Sequence, residues 1–237
     1  MNLKVNEVFG PTIQGEGPSQ GKRVMFLRLA TCNLSCIWCD TPYTWNWIGT
    51  KFAHPSKYDK TKEVKEMDND IILEKLKSDC KAVVISGGEP LLQQNSLLNL
   101  LGGLKKHDCW IEVETNGTIA PGRVFTELVD QINCSPKLSN SGDSETRRIK
   151  QQSLEALSLL SKTFFKFVIS CERDVEEVLG YVERFKMNPK HVYLMPLGKT
   201  KEELQKTAGL TRALAKSHSF IFSSRLHVEL WGNQRAV

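Results

Sequence analysis

Short apolar runs rich in β-branched and aromatic residues recur along the chain: Arg23–Leu29, Ala82–Ser86, Trp110–Val113, Gln131–Cys134, Phe165–Ile169 and Val192–Met195. Between them lie segments whose apolar residues return at helical spacing, over Asp70–Ser78, Leu92–Lys105, Val124–Val129, Ser153–Ser161, Val175–Phe185 and Lys201–Ala215. Unbroken apolar strands suit a sheet covered on both faces, and parallel neighbours need crossover helices of this kind. The pattern predicts an α/β fold with a parallel sheet and helices outside it. A closed eight-stranded barrel takes about 250 residues. The 237 residues here suit about six strand–helix units, so the expectation is a partial, about six-stranded parallel β/α barrel.

The polar and glycine-rich motifs fall where these strands end. A cysteine-bearing loop follows Arg23–Leu29, Gly87-Gly88-Glu89-Pro90 follows Ala82–Ser86, and Glu114-Thr115-Asn116-Gly117 leaves Trp110–Val113. Ser135-Pro136-Lys137 comes after the fourth strand and Met195-Pro196-Leu197-Gly198 after the sixth. In parallel α/β folds the carboxyl rim is where ligands bind, so these motifs predict one shared site.

With 40% hydrophobic residues and no proline- or serine-rich linker, the chain reads as one domain, 1–237. No apolar stretch has the length of a signal peptide or a bilayer span, which predicts a soluble, cytoplasmic protein with no membrane partner. Seven cysteines, three of them clustered, argue for a reducing compartment rather than a disulfide framework. Cys80, Cys109, Cys134 and Cys171 are expected to be small buried residues. The net charge of +5 is spread among acids, as in residues 57–66, and forms no dense basic run. That excludes nucleic acid as the expected partner and is compatible with a small anionic substrate.

Cys32, Cys36 and Cys39 fall within the run Thr-Cys-Asn-Leu-Ser-Cys-Ile-Trp-Cys-Asp, with no fourth cysteine or histidine nearby. Thiolates anchor iron–sulfur clusters, and a cubane held by three of them keeps one iron open to a small molecule. Structural zinc is the plainer alternative, but it closes with four protein ligands, and His54 stands far along the chain. The spacing Cys-x3-Cys-x2-Cys, with Trp38 before the last cysteine, resembles the signature of the radical S-adenosylmethionine (SAM) superfamily.

Four other features bear chemistry. Gly87 and Gly88 leave a buried strand where backbone can approach a ligand, although alone they read as an ordinary turn. Arg28 sits among apolar strand residues, where a guanidinium needs a partner: a ligand carboxylate, or an internal acid such as Glu7. Its place beside the cysteine loop favours the ligand. Thr41, just past the last cysteine, carries a hard oxygen suited to Mg²⁺ if a substrate supplies the anion; otherwise it is a turn residue. Residues 9–17 read as a glycine-rich loop before the first strand, whose Gln14 and Glu16 can match the edge of a flat heterocycle.

Taken together, Thr12-Ile13-Gln14-Gly15-Glu16-Gly17, Arg28, the triad with Cys39-Asp40-Thr41, Ser86-Gly87-Gly88-Glu89-Pro90, Glu114-Thr115-Asn116-Gly117, Ser135-Pro136-Lys137 and the run from Arg225 to Asn233 resemble the 7-carboxy-7-deazaguanine synthase family, the queuosine-pathway branch of that superfamily. The resemblance runs from about Glu7 to Asn233. Residues 43–66 and 139–152 carry little of it and look like variable insertions. It implies that Cys32, Cys36 and Cys39 hold a 4Fe-4S cluster and that Thr41 binds Mg²⁺. Ile13, Gln14, Gly15, Glu16, Arg28 and Ser86 would contact substrate, with His227, in a carboxyl-terminal strand, on the same side. Trp38, Gly88, Glu89, Ser135, Pro136, Lys137, Met195, Pro196, Leu197 and Gly198 would contact SAM.

The implied reaction is contraction of 6-carboxy-5,6,7,8-tetrahydropterin to 7-carboxy-7-deazaguanine with loss of ammonia. It starts from a 5′-deoxyadenosyl radical and regenerates SAM. A homodimer and a flavodoxin- or ferredoxin-type electron donor come with the resemblance. Two rivals are a glycyl-radical activase, which would have no use for Arg28 beside the Gln14 loop, and a zinc- or cluster-binding module without catalysis, which leaves the rim motifs unexplained.

Overall fold

The computed structural model describes residues 2–77 and 80–237. Nine strands form a single sheet: β1 (Asn2–Ile13), β2 (Arg23–Leu29), β3 (Lys65–Asp68), β4 (Ala82–Gly87), β5 (Trp110–Thr115), β6 (Gln131–Cys134), β7 (Thr163–Ile169), β8 (Val192–Pro196) and β9 (Ile221–Phe222). Their spatial order is β3-β1-β2-β4-β5-β6-β7-β8-β9. From β2 to β9 every pairing is parallel, whereas β1 runs antiparallel to both β2 and β3. The strands are joined through α1 (Lys60–Glu63), α2 (Asn69–Leu76), α3 (Gln94–Lys106), α4 (Arg123–Leu128), α5 (Glu145–Arg148), α6 (Gln151–Ser158), α7 (Arg173–Arg184) and α8 (Lys201–Ser217), and α9 (Leu226–Trp231) follows β9.

All six expected strands are present, within two residues at each end. Their central side chains are buried from both sides, as with Val83, Val84, Ile85, Ile111, Val113, Phe165, Phe167 and Leu194, which is why they read as unbroken apolar runs. The six expected helices are there too, except that Ser78 lies outside the described residues. Their starts follow local chemistry: Asp68 accepts from the Asp70 N–H ahead of α2, and Thr200 from the Glu203 N–H ahead of α8.

The strand count differs from expectation. The sheet has nine strands rather than about six, and its order runs open from β3 to β9. Residues 9–13, expected in a loop, end the twelve-residue β1. Gly10 and Pro11 interrupt the pattern there because they occupy a register shift between Phe9 and Thr12, and a bulge admits such residues. Lys65–Asp68 is a polar edge strand with no apolar signal, and β9 has two residues. His227 lies in α9, not in a strand; Leu-His-Val-Glu-Leu alternates as a strand would, and six residues are too few to show helical spacing. Cys171 is exposed in the loop after β7, while Cys80, Cys109 and Cys134 are buried. Among the described residues, no helix is long and apolar enough to cross a membrane.

Candidate active site

The carboxyl rim of the parallel strands opens into a cavity of about 370 Å³. The end of β1 brings Ile13 to Glu16 to it, β2 brings Arg28, and the loop after β2 brings all three clustered cysteines with Trp38 and Thr41. Ser86 and Gly88 arrive from β4, Ser135 and Lys137 from the β6 exit, Met195 to Gly198 from β8, and His227 from α9. Two residues expected here do not line it. Pro136 is set back, and Glu89 is wholly buried, accepting from the Leu91 and Asn116 N–H groups and the Thr115 hydroxyl at 2.7–2.9 Å.

The cysteine loop is tied on both sides. At its start, Thr31 is forced to a φ of +80°, unusual for a β-branched residue. The turn after β4 lies so close that a Cβ on Gly88 would stand 1.9 Å from the Thr31 carbonyl oxygen. Farther along, the Asp143 carboxylate accepts from the Ser35 N–H at 2.9 Å, the Ser141 carbonyl from the Ile37 N–H, and the Asn140 carbonyl from the Trp38 indole. Part of the segment 139–152, which looked like a variable insertion, is therefore the backing of this loop.

The three sulfurs suit a cluster. Trp45 Nε1 lies 3.3 Å from Cys39 Sγ, and the Leu34 N–H and Asn116 Nδ2 approach Cys32 Sγ at 3.5 and 3.9 Å. Donors of this kind stabilise thiolates and tune a bound centre. Burial pushes the Cys36 thiol up to about 12 and raises Cys32 and Cys39, with repulsion from neighbouring acids and thiols adding to it. Three buried thiols become thiolates only against a strong positive charge, which a metal centre supplies. His54 comes nearer than its sequence position suggested, edge-on to Trp45 at 5.7 Å. Even so, no three His, Cys, Asp or Glu side chains among the described residues are grouped to hold one ion.

Arg28 unites the two alternatives left open for it. Its Nε donates to Glu7 at 2.7 Å, and the residue also lines the cavity. Its two terminal nitrogens make no hydrogen bond among the described residues. Thr41 faces the same space, with Oγ1 3.7 Å from Cys39 Sγ. Asp40 is paired with Arg225, whose Nε also donates to Glu16 at 2.8 Å and Nη1 to the Gly198 carbonyl at 2.6 Å. Glu16 pairs in turn with Lys166. Burial alone would raise the Glu16 carboxyl, but Lys166 and Arg225 outweigh it and hold Glu16 well below its usual range. Burial lowers His227 from its ordinary value, against the pull of Glu16 and with Arg225 adding to the shift.

Behind Gln14 lies a second polar layer. The Gln14 amide donates to Glu112 at 2.5 Å and to Glu114 at 3.1 Å, while its oxygen accepts from the Glu16 N–H. Ser19, Gln131 and Asn133 also donate to Glu112. Burial and the nearby Glu114 push Glu112 up to about 7. Glu114 takes the Ser86 hydroxyl at 2.6 Å. Both donors of Gln14 are thus spent inward, leaving its oxygen as the polar group for a ligand.

Gly15 sets the position of His227. A Cβ there would stand 2.0 Å from His227 Nδ1. Gly15→Ala is expected to swing the imidazole away and lower stability by about 1–3 kcal/mol, read as a drop in Tm and a shift of the His227 ring resonances. Gly180→Ala in α7, where a Cβ meets nothing within 4 Å, should leave both unchanged or raise Tm slightly.

Several cavity residues had no place in the sequence reading, namely Lys166, Asn133, Tyr43, Trp45 and residues 234–237, while Glu114, Arg225, Gly232 and Asn233 entered it only inside motifs, with no role of their own. Lys166 could have been found by the argument used for Arg28, since it is the one charge in Phe-Phe-Lys-Phe-Val-Ile. Arg225 carried no such signal; its burial comes from acids far away in sequence.

Similarity to known proteins agrees with this site. The 4Fe-4S single cluster domain family matches residues 13–158. The 7-carboxy-7-deazaguanine synthase of Pyrobaculum aerophilum is 33% identical, over 98% of this chain and 96% of its own length. That of Hyperthermus butylicus is 34% identical over 95% and 92%. The crystal structure of QueE from Escherichia coli superposes with a TM-score of 0.72 at 24% identity, covering 96% of this chain and 95% of that one, so the fold is shared from end to end. With a cluster-domain match that includes all three cysteines and relatives one-third identical along almost their whole length, the chain belongs to the 7-carboxy-7-deazaguanine synthase family.

Proposed function

We propose that this enzyme forms 7-carboxy-7-deazaguanine from 6-carboxy-5,6,7,8-tetrahydropterin with release of ammonia, assisted by Mg²⁺, as one radical SAM domain spanning 1–237. The observation that carries the reading is the meeting, in one cavity, of three cysteines and an arginine whose terminal nitrogens make no hydrogen bond among the described residues. Cys32, Cys36 and Cys39 would hold a 4Fe-4S cluster, which together with SAM supplies a 5′-deoxyadenosyl radical when reduced.

The remaining side chains bind and orient. Arg28 offers a carboxylate two parallel donors, with Glu7 fixing the plane of its guanidinium. Gln14 presents its oxygen to ring N–H groups. Thr41 gives Mg²⁺ one neutral oxygen, so the substrate carboxylate supplies the charge. Gly88, Ser135, Lys137, Trp38 and the 195–198 turn line the part of the wall assigned to SAM, while Glu89 and Pro136 act behind it. Proximity is the main contribution, because a carbon radical must meet one C–H bond and no other. A homodimer and a flavodoxin- or ferredoxin-type donor belong to the same reading.

The deciding experiment is anaerobic reconstitution followed by incubation with SAM, reductant, Mg²⁺ and the carboxypterin. Formation of the deazaguanine supports the proposal; tightly bound zinc and intact SAM would overturn it. Arg28→Ala is expected to weaken carboxypterin binding about 10- to 100-fold, the range for a lost charged hydrogen-bond pair, while SAM cleavage without substrate continues. Equal affinity in parent and variant would take Arg28 out of the site. Thr41→Ala should blunt the dependence of turnover on Mg²⁺, and an unchanged titration would put the metal elsewhere.

A further inference from the structure

Residues 232–237 follow α9 with no helix or strand of their own and line the cavity; such a segment stays loose unless something ties it down, and the Arg235 side chain does so. Arg235 makes a two-pronged pair with Glu63, Nη1 to Oε1 at 3.2 Å and Nη2 to Oε2 at 2.9 Å. Its Nη2 also donates to Asn6 Oδ1 at 3.3 Å, and its guanidinium carbon lies 3.7 Å over the Tyr43 ring. The receiving groups are also tied to each other: Asn6 Nδ2 donates to the Glu63 carbonyl at 2.7 Å and to its carboxylate at 2.9 Å. Paired acid below and aromatic face above make a socket that fits arginine and not lysine.

The socket joins three distant parts of the sequence. Asn6 and Glu7 are on β1, Tyr43 and Glu63 come from the segment 43–66 that carries little family resemblance, and Arg235 is on the tail. Glu7 is the shared member. Its Oε1 takes Arg28 Nε at 2.7 Å and its Oε2 lies 3.9 Å from Arg235 Nη2. The acids are shielded, 16% exposed for Glu7 and 14% for Glu63, while the Arg235 side chain is 42% exposed, so water screens its pairs in part and the geometry of the socket carries the contact. Gly232, at a φ of +68°, ends α9 and turns the chain into the tail, and a Cβ there would meet nothing.

We infer that Arg235 is a positioning residue: seated in the Glu63–Tyr43–Asn6 socket, it holds residues 232–237 as a wall of the cavity and, through Glu7, steadies Arg28 for the carboxylate of the substrate. This rests on the carboxypterin reading above and gives the 43–66 segment its role. Losing the clasp lets the tail leave, widens the cavity and frees Glu7 to pull Arg28 aside, so the effect falls on binding.

The test combines carboxypterin binding, steady-state kinetics and hydrogen exchange on the reconstituted full chain. Arg235→Ala and Glu63→Ala are each expected to raise KM at least about 10-fold with a much smaller change in kcat, and to speed amide exchange across 232–237. The double variant should be no worse than either single one, and Arg235→Lys should recover only part of the loss. Parent-like exchange in the tail of Arg235→Ala, parent-like KM, or losses that multiply in the double variant would each overturn the clasp. If the parent itself does not bind the carboxypterin, the substrate reading fails, and the exchange of the tail in the two variants still decides whether the clasp holds it.

Discussion

Cys36→Ala, reconstituted with iron and sulfide without oxygen, is expected to stay colourless and to lose at least about 1,000-fold in SAM cleavage, equivalent to about 4 kcal/mol of barrier. On the proposed assignment the cysteine loop would supply three protein ligands, and removing one would leave a cubane with two anchors. Iron content, the visible absorption of the cluster and its electron paramagnetic resonance signal measure the loss directly. Cys109→Ala serves as the control, because Cys109 is buried away from the cavity; it should retain full iron. A parent-like cluster in Cys36→Ala would end the assignment of the triad.

Arg225→Leu should lower the unfolding free energy by about 3–5 kcal/mol, the range for breaking a buried ion pair from one side. Arg225 holds Asp40, Glu16 and the Gly198 carbonyl together, and leucine would leave Glu16 with Lys166 and Asp40 without its ion-pair partner. The sign of the pH effect follows from Glu16. Its carboxyl is held below the usual range, so its pairing stabilises the fold above the unfolded pKa of about 4.5 and the benefit is lost as pH falls through the folded value. The gap between parent and variant should therefore be full at pH 7 and narrow on acidification below about pH 4.5. Urea unfolding at the two pH values checks this. Arg225→Lys should recover only part, because one ammonium cannot reach all three acceptors in the plane that a guanidinium covers. An equal deficit at both pH values would mean that Arg225 acts by packing alone.

The parallel half of the sheet was legible because its strands are buried on both faces, so each reads as an apolar run without alternation. The antiparallel edge was not: Lys65–Asp68 is charged and exposed, and Gly10-Pro11 breaks the pattern of β1 at its bulge. The rim motifs were placed well, since residues at the carboxyl ends of parallel strands share one opening whatever the closure of the sheet. What stayed hidden were partners brought together by the fold. Arg28 could be seen to need an acid, and Glu7 could be named, but Glu112 beneath Gln14 and Arg225 between Asp40 and Glu16 are joined across 98, 185 and 209 positions. The 43–66 and 139–152 segments looked dispensable because they lack motifs; one holds the socket for Arg235 and the other backs the cysteine loop.

Glu89 was expected to touch a ligand and instead sits in the dark behind the wall, one carboxylate grasping Leu91 on its own turn and Thr115 and Asn116 on the next. Like a keystone, it leaves neither arch free to tilt without the other, and Asn116 in turn carries that stiffness to Cys32. A change that dislodged this one carboxylate would thus reach the sulfur of Cys32 through Asn116, from a residue that does not itself line the opening.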